Sequence, residues 1–246
     1  MNYIDIPKIV FIVPYRDREQ QQKFFKRQME YVLEDIDNYK IIYVHQKDKR
    51  EFNRGAMKNI GFLVLKDLYP NNYKNINLVF NDVDIMPYTK NFLDYFTKEN
   101  IVKHFYGFKY TLGGIVSIMA SDFEKVNGFP NFWSWGYEDN ELQKRVTLHK
   151  IAIDRNVFYP ILDKNILMLT DGITRIINKD DFRHYNSNTK EGIHSIKKLK
   201  YEIEDEFIHV LEFNTGREEN IHTKKIHNLK KGNKPFTKNT MNMNFY

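Results

Sequence analysis

The first eighty or so residues alternate short apolar runs with longer segments of helical spacing. "KIVFIVPYRDR" (8–18) carries five consecutive apolar residues and closes on Pro14 and a charged turn, which is how a strand buried on both faces reads. Residues 19–34 place Phe24, Phe25, Met29, Val32 and Leu33 at roughly helical intervals. "YKIIYVHQ" (39–46) is a second buried strand. Residues 53–68 gather Met57, Ile60, Leu63, Val64 and Leu68 on one helix face, and "INLVF" (76–80) is a third strand. Strand–helix–strand–helix–strand with short connections predicts an α/β fold of parallel strands joined by right-handed crossovers.

The rhythm then changes. "FYGFKYTLGGIVSIMA" (105–120) reads as a strand pair, or as one strand interrupted at Gly113 and Gly114. In "SDFEKVNGFP" (121–130), Ser121 and Glu124 have the spacing of a capping box, and Gly128 closes the short helix it would start. Another helix is predicted from Glu138 through Leu142 and Val146 to about Lys150. Residues 198–214 read as two late strands or a hairpin, and 217–246 as mostly unstructured. The pattern gives one domain over residues 1–215 and a basic, flexible tail over 216–246, with no internal repeat.

Composition narrows the chemistry. A chain of 246 residues with 41% hydrophobic content buries a sizeable core, and the absence of cysteine excludes disulfides and thiolate metal sites. No apolar run approaches the roughly 20 residues of a membrane helix. "MNYIDIPK" meets an acid and a proline before any hydrophobic stretch, so it does not read as a signal peptide. A soluble, cytoplasmic protein is the expectation. The net charge of +6 is concentrated late, in "IKKLK" (196–200) and "KKIHNLKKGNKPFTKN" (224–239), and reads as a solvated tail.

Three clusters of residues carry chemistry. "FNDVDIMP" (80–87) ends a buried strand in Asp82-Val83-Asp84. In a strand, alternate residues share a side, so both carboxylates would enter one space at the strand's carboxyl end, where open sheets bind ligands. Two hard oxygen donors there suit Mg²⁺ or Mn²⁺ with substrate phosphate oxygens. Equally, one acid caps the turn and the other is simply exposed. "FWSWGYEDNEL" (132–142) sets both tryptophans of the chain beside an acidic pair. That suits a sugar, whose apolar face stacks while its hydroxyls meet carboxylates, with Gly136 permitting close approach. Alternatively Trp133 and Trp135 are core, and Glu138 and Asp139 only complement a helix N-terminus. Arg16, Arg18 and Arg54 flank the same strand ends and suit a diphosphate, though each alone reads as a surface ion-pair partner.

Together "VPYRDR" (13–18), "FNRGAMKNIGF" (52–62), "FNDVDIMP", "GGIVSIMASDFEKVNGFPNFWSWGYEDNEL" (113–142) and, more loosely, "EGIHSIKKLKYEI" (191–203) resemble, in order, the motif series of the β-1,4-galactosyltransferase family (glycosyltransferase family 7). The resemblance spans about residues 8–210. It implies a GT-A, Rossmann-like single domain with a mainly parallel central sheet and a small late hairpin. The implied activity is inverting, metal-dependent transfer of galactose or N-acetylgalactosamine from a UDP-sugar to a sugar hydroxyl of a glycan or glycoside, with Mn²⁺ or Mg²⁺. By the same resemblance, Pro14, Tyr15, Arg16, Arg18, Phe52 and Arg54 would line the uridine diphosphate pocket. Asp82 and Val83 would hold the nucleotide, and Asp84 would ligate the metal. Gly114, Trp135 and Gly136 would face donor sugar and acceptor, with Glu138 gripping the acceptor and Asp139 acting as catalytic base. A helix start would favour that base in its ionised form.

The departures from the family pattern matter as much. Family members supply further metal ligands from a Met-x-x-His or His-x-His element; here "NILMLTDGITR" (165–175) offers Met168 and Asp171, with His184 in "FRHYN" as a fallback. The family's Gly-Glu-Asp-Asp reads Tyr137-Glu138-Asp139-Asn140, so Tyr137 would reshape the acceptor subsite. Thr111 or Leu112 stands where a bulky tyrosine in some members disfavours an N-acetyl group. Family members are typically Golgi-anchored with disulfides, and this chain points instead to a cytoplasmic microbial or viral relative. Two other classes stay in view: a catalytically inactive carbohydrate- or anion-binding relative, and a nucleic-acid binder. The second is disfavoured because the basic residues are not interleaved with aromatics.

Overall fold

The structure, a computed structural model, describes residues 6–170, 172–232 and 234–236. The predicted strand–helix alternation is present: β1 (Ile9–Tyr15), α1 (Glu19–Val32), β2 (Tyr39–Gln46), α2 (Arg54–Leu68) and β3 (Asn77–Asn81). β1 lies between β2 and β3 and is parallel to both. Its side chains alternate between two cores. Ile9, Phe11 and Val13 pack with Phe25, Met29 and Val32 of α1, while Val10 and Ile12 pack with Met57, Ile60 and Val64 of α2. Both faces are therefore covered, which is why the strand shows no polar alternation. Pro14, with no N–H to give, lies beyond the last β1–β3 pair, Ile12 with Phe80.

After β3 come β4 (Ile85–Pro87), β5 (Ile101–Gly107), β6 (Ile115–Met119), α3 (Ala120–Lys125), α4 (Glu138–Leu148), β7 (Ala152–Asp154), β8 (Tyr159–Pro160) and β9 (Ile166–Met168). The chain closes with β10 (Thr174–Asn178), α5 (Lys179–Asn186), β11 (Lys197–Glu204), β12 (Phe207–Asn214) and β13 (Lys224–Asn228). The central sheet has the order β11-β12-β2-β1-β3-β6-β5-β7, with β8 also paired to β5. It is mixed but mostly parallel: β6 runs antiparallel to β3 and β5, and β11 antiparallel to β12. The late hairpin extends this sheet, with β12 parallel to β2 through the pair Phe207–Tyr43.

Of the two readings of residues 105–120, the strand pair is the one present: β5 and β6 are separate strands, with the glycine pair in the connecting loop. Two other expectations are corrected. Ser121 caps nothing: β6 runs straight into α3, whose N-cap is Met119, and Glu124 instead meets Lys66 and the Tyr73 hydroxyl at 2.6 and 2.8 Å. The segment from 217 is not all irregular, because β13 pairs antiparallel with β10. Neither strand announces itself, since "TRIIN" and "KKIHN" are short and polar and each needs a partner about fifty residues away to complete its ladder.

Candidate active site

Loop placement begins with Gln46, the buried last residue of β2. Its amide donates to Asp48 (2.7 Å) and to the Glu51 carbonyl (3.0 Å), and its oxygen accepts from the Asn53 N–H (2.8 Å). That knot delivers Phe52 and Arg54 to the cleft. The Asn53 side chain caps α2 through the Ala56 N–H at 2.9 Å and donates to the Asn131 carbonyl at 2.9 Å. One turn and a half along α2, Asn59 bonds Phe129 and Asn131. A Cβ on Gly55 would stand 1.9 Å from the Pro130 carbonyl oxygen, so α2 lies directly against the 129–131 segment. "FNRGAMKNIGF" is thus a clamp for the chain leading to Trp135.

The two tryptophans part ways. Trp133 is fully buried, stacks on Phe213 and carries the Arg50 guanidinium 4.4 Å above its ring. The Arg50 carbonyl in turn accepts from Arg16 at 2.6 Å. Trp135 is half-buried and forms a wall common to the neighbouring cavities of the cleft. Among the described residues, no atom beyond its chain neighbours lies within 4 Å of where a Gly136 Cβ would be, and its φ of 109° is one that a residue with a side chain rarely adopts.

One cavity, of about 280 Å³, brings together Pro14, Arg16, Arg18, Phe52 and Arg54 with Asp82, Val83, Asp84 and Met168. The Arg16 and Arg54 guanidiniums lie 5.3 and 5.2 Å from the centre of the Phe52 ring. Asp82 and Asp84 share this space for a different reason than strand alternation. β3 has ended, and 82–85 form a turn closed by the Ile85 N–H on the Asp82 carbonyl at 3.1 Å, with Val83 buried beneath. Met168 arrives by the β4–β9 ladder, which pairs it with Ile85. Asp171 lies outside the described residues. Tyr15 is not brought in: the strand alternation turns its ring onto Tyr43, His45 and Phe207. His184, on α5 with Nδ1 at 2.9 Å from the Asp180 carbonyl, does not line the cavity either.

Sharing Asp82, Ile85 and Trp135 as walls, a second cavity of about 190 Å³ holds Gly113, Gly114, Gly136, Glu138 and Asp139. Thr111 lines it, whereas Leu112 belongs to the core. Glu138 is 5% exposed and its Oε2 has no partner among the described residues. Burial, and then the Asp139 charge, push its carboxyl up to about 7. Asp139 is also pushed up, first by burial, although about a quarter of its side chain opens to the cleft. The helix start therefore does not by itself keep this carboxyl ionised. Tyr137 sits at φ 71° with its ring 4.9 Å from those of Phe182 and Tyr185, and its hydroxyl donates to the Phe236 carbonyl at 2.9 Å.

Two participants escaped the sequence reading. Arg175 of β10 lines the first cavity with the other arginines. Lys58, 2% exposed, places Nζ 3.3 Å from Asp139 Oδ1 and 3.8 Å from Asp82 Oδ1. One signal was present: Lys58 follows Arg54 by four residues, a like-charge pair on one helix face that is unfavourable unless anions lie beside it.

The comparisons with known proteins agree with this architecture. Residues 4–95 match the N-terminal region of glycosyl transferase group 7, and residues 97–165 match the model described as the N-terminal domain of galactosyltransferase. The chain belongs to glycosyltransferase family 7. It is 32% identical over 162 residues to mouse β-1,4-galactosyltransferase 4, covering 61% of this chain and 45% of the relative. It is 30% identical over 158 residues to the xylosylprotein 4-β-galactosyltransferase of Caenorhabditis elegans, covering 60% of this chain and 53% of that protein. The chain thus spans about half the length of the curated relatives it matches. Among solved structures, the catalytic domain of Drosophila β-1,4-galactosyltransferase 7 in complex with xylobiose superimposes with a TM-score of 0.66 at 20% identity, covering 84% of this chain and 94% of that one. A mutant of the same Drosophila enzyme, in complex with manganese, UDP-Gal and xylobiose, superimposes with a TM-score of 0.63. The fold is GT-A. Among the described residues, no helix is long and apolar enough to cross a membrane.

Proposed function

We propose that this protein is an inverting, metal-dependent glycosyltransferase that moves galactose or N-acetylgalactosamine from a UDP-sugar to a sugar hydroxyl, forming a β-linkage. The observation that carries the reading is the adjacency of two cavities. An arginine-lined cavity suited to a diphosphate shares Asp82, Ile85 and Trp135 with a second one lined by the carboxylates Glu138 and Asp139.

The residues fit their parts. Arg16, Arg18, Arg54 and Arg175 surround the diphosphate with guanidinium donors, and Phe52 offers a face for the base. Asp84 and Met168, whose Sδ accepts from the Tyr106 hydroxyl at 3.6 Å, are the described residues of this cavity that would hold a cation such as Mn²⁺, with Asp171 proposed as a third. A metal bound there adds Lewis-acid charge where the leaving diphosphate becomes negative. In the second cavity the unpartnered Glu138 Oε2 accepts a hydroxyl of the acceptor sugar while Trp135 stacks against it. Asp139 takes the proton of the attacking hydroxyl as the acceptor oxygen bonds to C1 of the donor sugar. The C1–O bond breaks in the same displacement and its electron pair leaves on UDP. One displacement inverts the anomeric centre.

The test is release of UDP from UDP-Gal, UDP-GalNAc, UDP-Glc and UDP-GlcNAc with Mn²⁺ and a panel of xyloside and N-acetylglucosaminide acceptors. Acceptor-dependent release from UDP-Gal or UDP-GalNAc is expected. No release with any donor overturns the reading.

A further inference from the structure

Lys58 poses a problem of cost. A lysine ammonium removed from water is destabilising unless anions compensate it. Its side chain rises from the core-facing side of α2, and Nζ rests 4.6 Å from the centre of the Phe129 ring. Two carboxylates from separate elements meet it there: Asp82, in the turn after β3, and Asp139, in the first turn of α4. Asp82 lines both cavities and Asp139 the second one.

The Asp139 carboxylate is gripped unevenly. Oδ1 faces Lys58, while Oδ2 lies so close to Gly113 that a Cβ there would come within 2.2 Å of it. Gly113, against which Oδ2 packs, lines the acceptor cavity together with Gly114 and Asp139 itself. We infer that Lys58 is a positioning residue: by holding Asp139 Oδ1 it fixes the carboxylate so that Oδ2 takes the acceptor proton. This rests on the proposed transfer reaction. In that step the acceptor O–H bond breaks and its proton goes to Oδ2. The freed oxygen bonds to C1, and the C1–O bond to the diphosphate breaks with its electron pair leaving on UDP.

The lysine also answers an electrostatic difficulty. The charged groups acting on Asp139 are Lys58, Asp82, Glu138 and Arg54. Burial and the neighbouring acids favour its protonated form, and Lys58 opposes them. Asp139 and Asp82 in turn hold Lys58 in its charged form despite its burial.

The experiment compares wild type, Lys58→Met and Lys58→Arg in full steady-state kinetics over pH. Lys58→Met is expected to lower kcat by about a hundredfold, the scale of a small misplacement at the reacting centre. The donor KM should stay within about threefold, since uniform binding is not what is lost. Removing a cation beside a carboxylate raises its proton affinity, so the acid limb of kcat should move up by about one pH unit. Lys58→Arg should return the limb towards its wild-type place. If Lys58→Met does not fold, Lys58→Gln takes its place. A kcat within about twofold of wild type, or a lower kcat with an unmoved acid limb, overturns the inference. If wild type transfers no sugar, the reaction reading fails, and a carbon-13 NMR titration of the Asp139 carboxyl then decides on Lys58 alone. A higher midpoint in Lys58→Met sustains the coupling, and an unchanged one overturns it.

Discussion

Gly113 and Asp139 leave no space between them: a Cβ at position 113 would lie 2.2 Å from Oδ2 and 2.8 Å from Cγ of Asp139. The contact joins the loop between β5 and β6 to the first turn of α4, and the Leu112 N–H donates to the Asp139 carbonyl at 3.1 Å beside it. Gly113→Ala should therefore rotate the carboxylate out of place while the backbone stays. The expected outcome is a loss of about a hundredfold in kcat, with UDP affinity by calorimetry nearly unchanged.

Metal and base should separate by mutation. Asp84→Ala is expected to abolish Mn²⁺-dependent UDP binding, as is removal of the metal by a chelator. Asp139→Asn should bind UDP as wild type does and lose transfer by at least about a hundredfold. Calorimetry with and without Mn²⁺, set beside turnover, checks both; retained turnover in Asp139→Asn would refute its role as base.

Glu138 should make the ligand-free protein sensitive to alkali. Its folded carboxyl is raised to about 7, so the native state binds more protons than the unfolded chain between the ordinary carboxylate range and that value. Its contribution is most favourable at low pH and is lost as pH rises through about 7. At pH 8 the ionised group costs on the order of 3 kcal/mol. Glu138→Gln is neutral throughout, so its Tm should exceed that of wild type by several degrees at pH 8 and by little at pH 5.

A buried arginine holds the frame behind the site. Arg145 of α4 donates to the carbonyls of Asn127, Gly128, Thr189 and Glu191 at 2.5–3.2 Å and pairs with Glu141 at 3.4 Å. Replacing it with Met leaves the buried Glu141 with Lys144 at 3.4 Å in place of two cations and takes a donor from each of four carbonyls, of which Asn127 keeps the Ile193 N–H. The expected loss is about 3–5 kcal/mol by denaturant unfolding, with reduced activity following from it.

Local chemistry makes much of this protein legible in its sequence. Strands buried on both faces must be continuously apolar, so "KIVFIV", "YKIIYV" and "INLVF" identified the parallel core and the strand ends where ligands bind. Arginines and aspartates at those ends, and a Trp-acid block opening a helix, pointed to the cleft residues that the tertiary structure brings together. What the sequence did not determine depends on partners distant along the chain. β10 and β13 exist only as each other's ladder. Trp133 and Trp135 look alike until Phe213 and Arg50 claim the first for the core. Tyr15 reads as a pocket residue until strand alternation turns it away. Lys58 is the sharpest case: on a helix it is one more lysine, and only packing sets Asp82 and Asp139 around its ammonium. Side-chain burial is a property of the assembled fold, and it is burial that turns these ordinary charges into a site.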